Sequence, residues 1–108
     1  MTPLLFAAQR LSAMVLAFAV AVHLATILYA SHAGLTAGAI LARMQGNVAF
    51  ALFYGVFVVA VAVHAPIGLR NVLREWTPWR GRTLDIVLVL FAVALLALGF
   101  RAVMAVYA

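Results

Sequence analysis

The stretch VAFALFYGVFVVAVAVHAPIGL, residues 48–69, decides how the chain folds. It runs 22 residues without a formal charge. About 20 apolar residues carry a helix across the hydrocarbon core of a bilayer. A backbone placed in lipid must satisfy its own hydrogen bonds, so the segment reads as a transmembrane helix. Two other stretches match it. Leu11–Ala30 is 20 residues without a charge, and Ile86–Phe100 is uncharged. The expected fold class is all-α, an integral membrane anchor with three transmembrane helices over about 5–30, 47–75 and 83–106. Residues 1–108 read as a single anchor domain. The first apolar run exceeds the about 7–15 residues of a signal-peptide core, so it is expected to remain a helix rather than be cleaved after Ser31-His32-Ala33.

The joins between spans read as loops. Ser31–Gly46 holds Gly34, Gly38 and Gly46, and Trp76–Arg82 contains the breakers Pro78 and Gly81. Trp76 and Trp79 suit the aromatic belt at a membrane interface. Composition agrees with the spans. The chain is 69% hydrophobic and 8% charged. Soluble domains are about 45–50% apolar and about 25% charged. A chain of 108 residues has most of its residues near its surface, and this one cannot supply a polar exterior. A soluble enzyme, a nucleic-acid-binding domain and a disordered tail are excluded. No nucleic-acid partner is expected, and the lipid bilayer is. With no Cys, no thiolate zinc site, iron–sulfur ligand or disulfide comes from this chain.

The net charge of +5 comes from seven Arg, no Lys and two acids. Such a surplus in a membrane protein sets topology. With the N-terminus inside, the inner side holds Arg10, Arg70, Arg74, Arg80 and Arg82, and the outer side holds Arg43 and Arg101. The expected location is the inner (cytoplasmic) membrane, with a cytoplasmic N-terminus and the C-terminus outside.

Ionisable side chains at membrane depth are costly and are functional candidates by default. Two histidines qualify. His23 lies 13 residues after Arg10, about 20 Å along a helix at about 1.5 Å per residue. His64 lies 10 residues before Arg74, about 15 Å from it. His23 is therefore expected in the outer half and His64 in the inner half, too far apart in depth to share one metal ion. His32, at the end of the first span, reads as solvated. Ser12, Ala19 and His23 fall on one helical stripe, with Thr26 beside it. Phe50, Phe53, Phe57, His64, Gly68, Asn71 and Glu75 fall on another. Gly68, one turn from His64, removes a side chain where a flat group could approach. Pro66 leaves the carbonyl of Ala62 without its helical donor and is expected to kink the helix. Neutral imidazole ligates haem iron, and a Phe-lined slot such as that around Phe57 suits a porphyrin. Plainer readings stand beside these. A histidine in a membrane also bonds a neighbouring helix for about 1–2 kcal/mol. Phe stripes and Gly68 pack helices, Ser12 bonds its own backbone, and the arginines snorkel.

The stretch His64-Ala-Pro-Ile-Gly-Leu-Arg-Asn-Val-Leu-Arg-Glu-Trp resembles the second-helix signature of the membrane anchors of succinate dehydrogenase and fumarate reductase. There a haem-ligating His is followed four residues on by Gly, often then by Arg, and by an acidic–aromatic pair near the helix end. Here these are His64, Gly68, Arg70, Glu75 and Trp76. Gln9-Arg10-Leu11-Ser12-Ala13 resembles that family's His-Arg-x-Ser-Gly opening, with Gln9 in place of the His and Ala13 in place of the Gly. The resemblance implies that His64 is an axial ligand of haem b. It implies that Arg10, Ser12, Arg70 and Trp76 lie near quinone or a haem propionate. Phe6 stands where the larger anchor carries a quinone-contacting Ser. His23 resembles the first-helix His of two-haem members, which implies a second haem nearer the outer face.

The function this implies is a cytochrome b anchor subunit of a succinate:quinone or quinol:fumarate oxidoreductase. Its cofactors would be one or two haem b groups, shared with a partner, and quinone. Its partners would be an iron–sulfur subunit, a flavoprotein subunit, and a second membrane-anchor subunit that completes a four-helix haem-binding core and supplies the sixth iron ligands. The chain itself would carry electrons rather than catalyse the dicarboxylate reaction. Two other readings remain open: a haem-free anchor or small transport subunit, and a haem b anchor of another quinone-linked enzyme.

Overall fold

A computed structural model describes residues 2–108. It is all-helical: α1 spans Pro3–Ala33, α2 Ala37–Met44, α3 Val48–Trp76 and α4 Arg82–Tyr107. Side chains start the first three. Thr2 Oγ1 accepts from the Leu5 amide at 3.1 Å, Thr36 Oγ1 from Ala39 at 3.1 Å and Asn47 Oδ1 from Phe50 at 3.2 Å. Each satisfies an amide that has no partner inside its helix. Pro3 adds a preset φ at the first helical position.

α1, α3 and α4 are each long and apolar enough to cross a membrane, with mean hydropathies of 2.3, 2.3 and 2.7. They support a multi-pass membrane protein. Their exteriors agree: Leu4, Phe18, Leu52 and Leu98 are among many large apolar side chains left exposed, a surface that lipid covers and water would not. α1 is 31 residues long, about 46 Å at about 1.5 Å per residue, so it overshoots a hydrocarbon core of about 30 Å.

One expectation needs correction. The join Ser31–Gly46 is not a plain loop, because α2 occupies Ala37–Met44 within it. Gly38 reads as a breaker, yet a helix tolerates one Gly for about 1 kcal/mol. The Thr36 cap and the run Ala39-Ile-Leu-Ala-Arg-Met outweigh it. α2 rests against α4. The turn after it is tied to the end of α4, where the Gly46 amide donates to Tyr107 O at 2.9 Å and Gln45 Nε2 to Ala108 O at 2.7 Å. Gly46 holds φ 71°, a left-handed conformation that glycine adopts without strain.

α3 lies between α1 and α4 and packs on both. The buried positions are mostly small: Ser12 and Ala19 on α1, and Ala60, Ala62 and Pro66 on α3. Small side chains let membrane helices approach closely, and close packing is what holds them together in lipid. α4 contributes Leu84 and Leu88. It also comes close to α3 at Gly99, where a Cβ would stand 2.5 Å from Val58 Cγ1. Pro66 lies within α3, which continues helical through it. α1 and α3 run antiparallel. Ser12 meets His64, and eleven residues further along α1, His23 meets Tyr54.

The start of α1, the end of α3 and the start of α4 therefore share one end of the bundle, with Arg10, Arg70, Arg74, Arg80 and Arg82. Arg80 closes the Trp76–Arg82 turn. Its guanidinium donates to Thr77 O and Trp79 O at 2.8 Å and to Arg74 O. A cation at the end of α3 also suits the negative pole of that helix.

Candidate functional site

Two polar clusters interrupt the apolar interior between α1 and α3, at two depths. Nearer the Arg-rich end, α1 places Ser12 against α3. Ser12 is buried, donates to Gln9 O at 3.0 Å, and stands 3.4 Å from His64 Nδ1. His64 is half-buried, and its Nε2 makes no hydrogen bond among the described residues. Gly68, one turn on, faces Gln9 of α1. A Cβ there would lie 3.4 Å from Gln9 Nε2. Gln9 Oε1 is buried with no hydrogen-bond partner among the described residues.

The second cluster lies about 15 Å away along α3, the rise of ten helical residues from Tyr54 to His64. His23 Nδ1 is 3.0 Å from Tyr54 Oη. Tyr54 Oη is 3.4 Å from Thr26 Oγ1, which donates to His23 O at 2.7 Å. Tyr54 and Phe57 meet the imidazole edge-on, with ring centroids 5.5 and 5.6 Å away. Phe50 and Phe57 stack on either side of Tyr54 along α3. His23 lines two cavities. One, of about 760 Å³, is bordered by Thr26, Tyr29, Arg43 and Tyr54, and the other, of about 600 Å³, by Phe57, Leu95 and Gly99. Arg43 closes the first from α2, donating to Gly34 O at 2.7 Å and lying 5.8 Å over the Tyr29 ring.

The residues singled out from the sequence divide between these places. Ser12, His64 and Gly68 come together. Phe57 does not join them, because two turns of α3 carry it to His23 instead. Arg10 is exposed, with its guanidinium 5.8 Å over the Phe6 ring. Arg70 pairs with Asp85 at 3.4 Å, tying the end of α3 to the start of α4. Trp76 is 82% exposed at the last residue of α3. His32 is exposed and bonds Leu28 O at 3.0 Å, a contact within its own helix.

Sequence reasoning missed Tyr54. A phenol hydroxyl inside an apolar span needs a partner, and that alone could have flagged it. The identity of that partner depends on the α1–α3 register, which no local pattern reveals.

The donor chemistry narrows what these clusters can hold. Among the described residues no three of His, Asp and Glu converge, so no all-protein metal cage forms. One imidazole per cluster, with Nε2 unbonded, suits an axial ligand to a metal that arrives with its own equatorial donors, as haem iron does. Compared with known protein families, curated proteins and solved structures, the chain matches none.

Proposed function

We propose that the chain is a cytochrome b membrane anchor of a succinate:quinone or quinol:fumarate oxidoreductase. The observation that carries the reading is His64: half-buried between two membrane-spanning helices, held at Nδ1 by Ser12, and unbonded at Nε2. After it along α3 come the motif residues Gly68, Arg70, Glu75 and Trp76. Haem b bound there supplies a one-electron carrier within the membrane. His64 would hold it from this chain, and a second three-helix anchor would supply the other axial ligand. His23 would hold a second haem at the other depth.

The Arg-rich end is the side on which iron–sulfur and flavoprotein subunits would dock, the inner side by the arginine asymmetry. Arg10 stands there, exposed and with no hydrogen bond among the described residues. A guanidinium bonds a carboxylate or a quinone oxygen strongly where water is excluded. The Gln9 amide, with its buried oxygen, faces Gly68 from α1.

The test is a pyridine-haemochrome assay and redox titration of the purified complex. The parent should show b-type bands. His64→Ala should remove one component, and His23→Ala should remove the other while sparing the first. A parent complex without b-type bands would favour a haem-free anchor, whose histidines serve as interhelical hydrogen-bonding groups.

A further inference from the structure

We infer that Ser12, and separately the Tyr54–Thr26 pair, are positioning groups that fix the tautomer of His64 and His23, so that each imidazole carries its hydrogen on Nδ1 and presents a lone pair at Nε2. The argument is an inventory of hydrogens. A Ser or Thr hydroxyl has one hydrogen to donate, and a carbonyl oxygen can only accept.

Ser12 Oγ lies 3.0 Å from Gln9 O, so its single hydrogen is committed to the backbone of α1. Towards His64 Nδ1, at 3.4 Å, Ser12 can then only accept. Nδ1 must be the protonated nitrogen. The same reasoning applies independently at the other depth. Thr26 Oγ1 commits its hydrogen to His23 O at 2.7 Å. Between Tyr54 and Thr26, at 3.4 Å, only Tyr54 can donate. With that hydrogen placed, Tyr54 Oη can only accept from His23 Nδ1, at 3.0 Å. The loop His23 Nδ1–H to Tyr54, Tyr54 to Thr26, and Thr26 to His23 O gives every hydrogen an acceptor. The reversed loop leaves Tyr54 and Thr26 facing each other without a hydrogen between them.

Two unrelated sets of groups thus impose the same tautomer on the two histidines of the membrane interior. The tautomer follows from the protein's own contacts. Its consequence, a ligating Nε2 whose basicity is raised by the hydrogen bond at Nδ1, rests on the haem reading above.

The test uses the full chain labelled with ¹⁵N-histidine in phospholipid nanodiscs without haem. Long-range ¹H–¹⁵N correlation reports which ring nitrogen is protonated, with signals assigned by His23→Gln, His32→Gln and His64→Gln. The parent should show Nδ1–H at both positions. Ser12→Ala should mix the tautomers of His64 alone. Ser12→Thr, which keeps the hydroxyl, should restore Nδ1–H. Tyr54→Phe should mix those of His23 alone.

Nε2–H at either residue in the parent overturns the inference for that residue, and no variant is needed to see it. A Ser12→Ala protein that keeps its helix content and its His64 tautomer overturns the role of Ser12. In the assembled complex, Ser12→Ala should raise the midpoint potential of one b-type component at unchanged haem content, because a less basic ligand favours ferrous iron. A complex that binds no haem would refute the haem reading and leave the tautomer result standing.

Discussion

Replacing Gly99 and Gly68 by Ala, one at a time, makes the same chemical change in two membrane helices with opposite expected outcomes. At Gly99 the new Cβ would meet Val58 Cγ1 at 2.5 Å, Cγ2 at 2.8 Å and Cβ at 3.2 Å. Carbon atoms prefer about 3.5–4.0 Å, so two methyl groups overlap by about 1 Å. A β-branched side chain in a helix has one strongly favoured χ1, and rotation cannot move Val58 Cβ. Relief requires α3 and α4 to separate. Overpacking of this kind costs about 1–3 kcal/mol. At Gly68 the nearest atom is Gln9 Nε2 at 3.4 Å, the end of a flexible side chain, and the cost is negligible. The intrinsic gain of Ala over Gly in a helix, up to about 1 kcal/mol, is common to both and cancels between them. Gly99→Ala should therefore be about 1–3 kcal/mol less stable than Gly68→Ala. Helix content followed through a titration with sodium dodecyl sulfate measures the difference. Val58→Ala supplies the control, because Gly99→Ala should cost much less in that background, a coupling of about 0.5–3 kcal/mol between contacting residues. Equal stabilities for the two glycine variants, or a Gly99→Ala cost unchanged by Val58→Ala, would refute the packing argument. Gly68→Ala also has a functional readout. If it folds as expected yet loses a b-type haem, the space beside His64 serves a ligand rather than helix contact.

Two further outcomes follow from the Arg-rich end. Arg10→Leu should lower quinone reduction while sparing succinate oxidation by an artificial acceptor, since Arg10 is exposed and makes no hydrogen bond among the described residues; equal loss of both activities would indicate failed assembly. Asp85→Asn should change stability by less than about 1 kcal/mol, because Asp85 is 59% exposed at 3.4 Å from Arg70; a larger loss in the same detergent titration would mean the pair is shielded as exposed ion pairs are not.

The spans were legible because lipid imposes a length and an apolar composition on any helix that crosses it. Expected bounds of about 5–30, 47–75 and 83–106 fall within one to three residues of α1, α3 and α4. The two extra residues at the start of α1 come from the Thr2 cap and Pro3, local signals outside the apolar run. α2 was hidden because a helix of eight residues is short, and Gly34, Gly38 and Gly46 in and around it read as a loop. The Gly99–Val58 contact could not be read at all. Glycine in a membrane helix marks close packing in general, and which helix approaches depends on register.

The same limit explains why the clusters were only half legible. Sequence places His23 and His64 in apolar spans and Ser12 on the stripe of His23, and each inference needs one helix alone. Pairing Ser12 with His64 and Tyr54 with His23 needs the antiparallel register of α1 on α3. Once that register is known, a division of labour follows. Every side chain that hydrogen-bonds within the two clusters belongs to α1 or α3, with Arg43 of α2 only bordering the cavity beside His23. α4 adds apolar contacts, with Leu84, Leu88 and Gly99 at its interface. Arg101 on α4 is exposed, and Asp85 reaches α3 only at the Arg-rich end. Substitutions along α4 should therefore act on helix packing and on the cavity wall beside His23, and leave the hydrogen bonds of both histidines intact. Substitutions at Ser12, Thr26 or Tyr54 should alter the imidazoles while the bundle stays folded, since each removes only one or two polar contacts from an interface built mainly of small apolar residues.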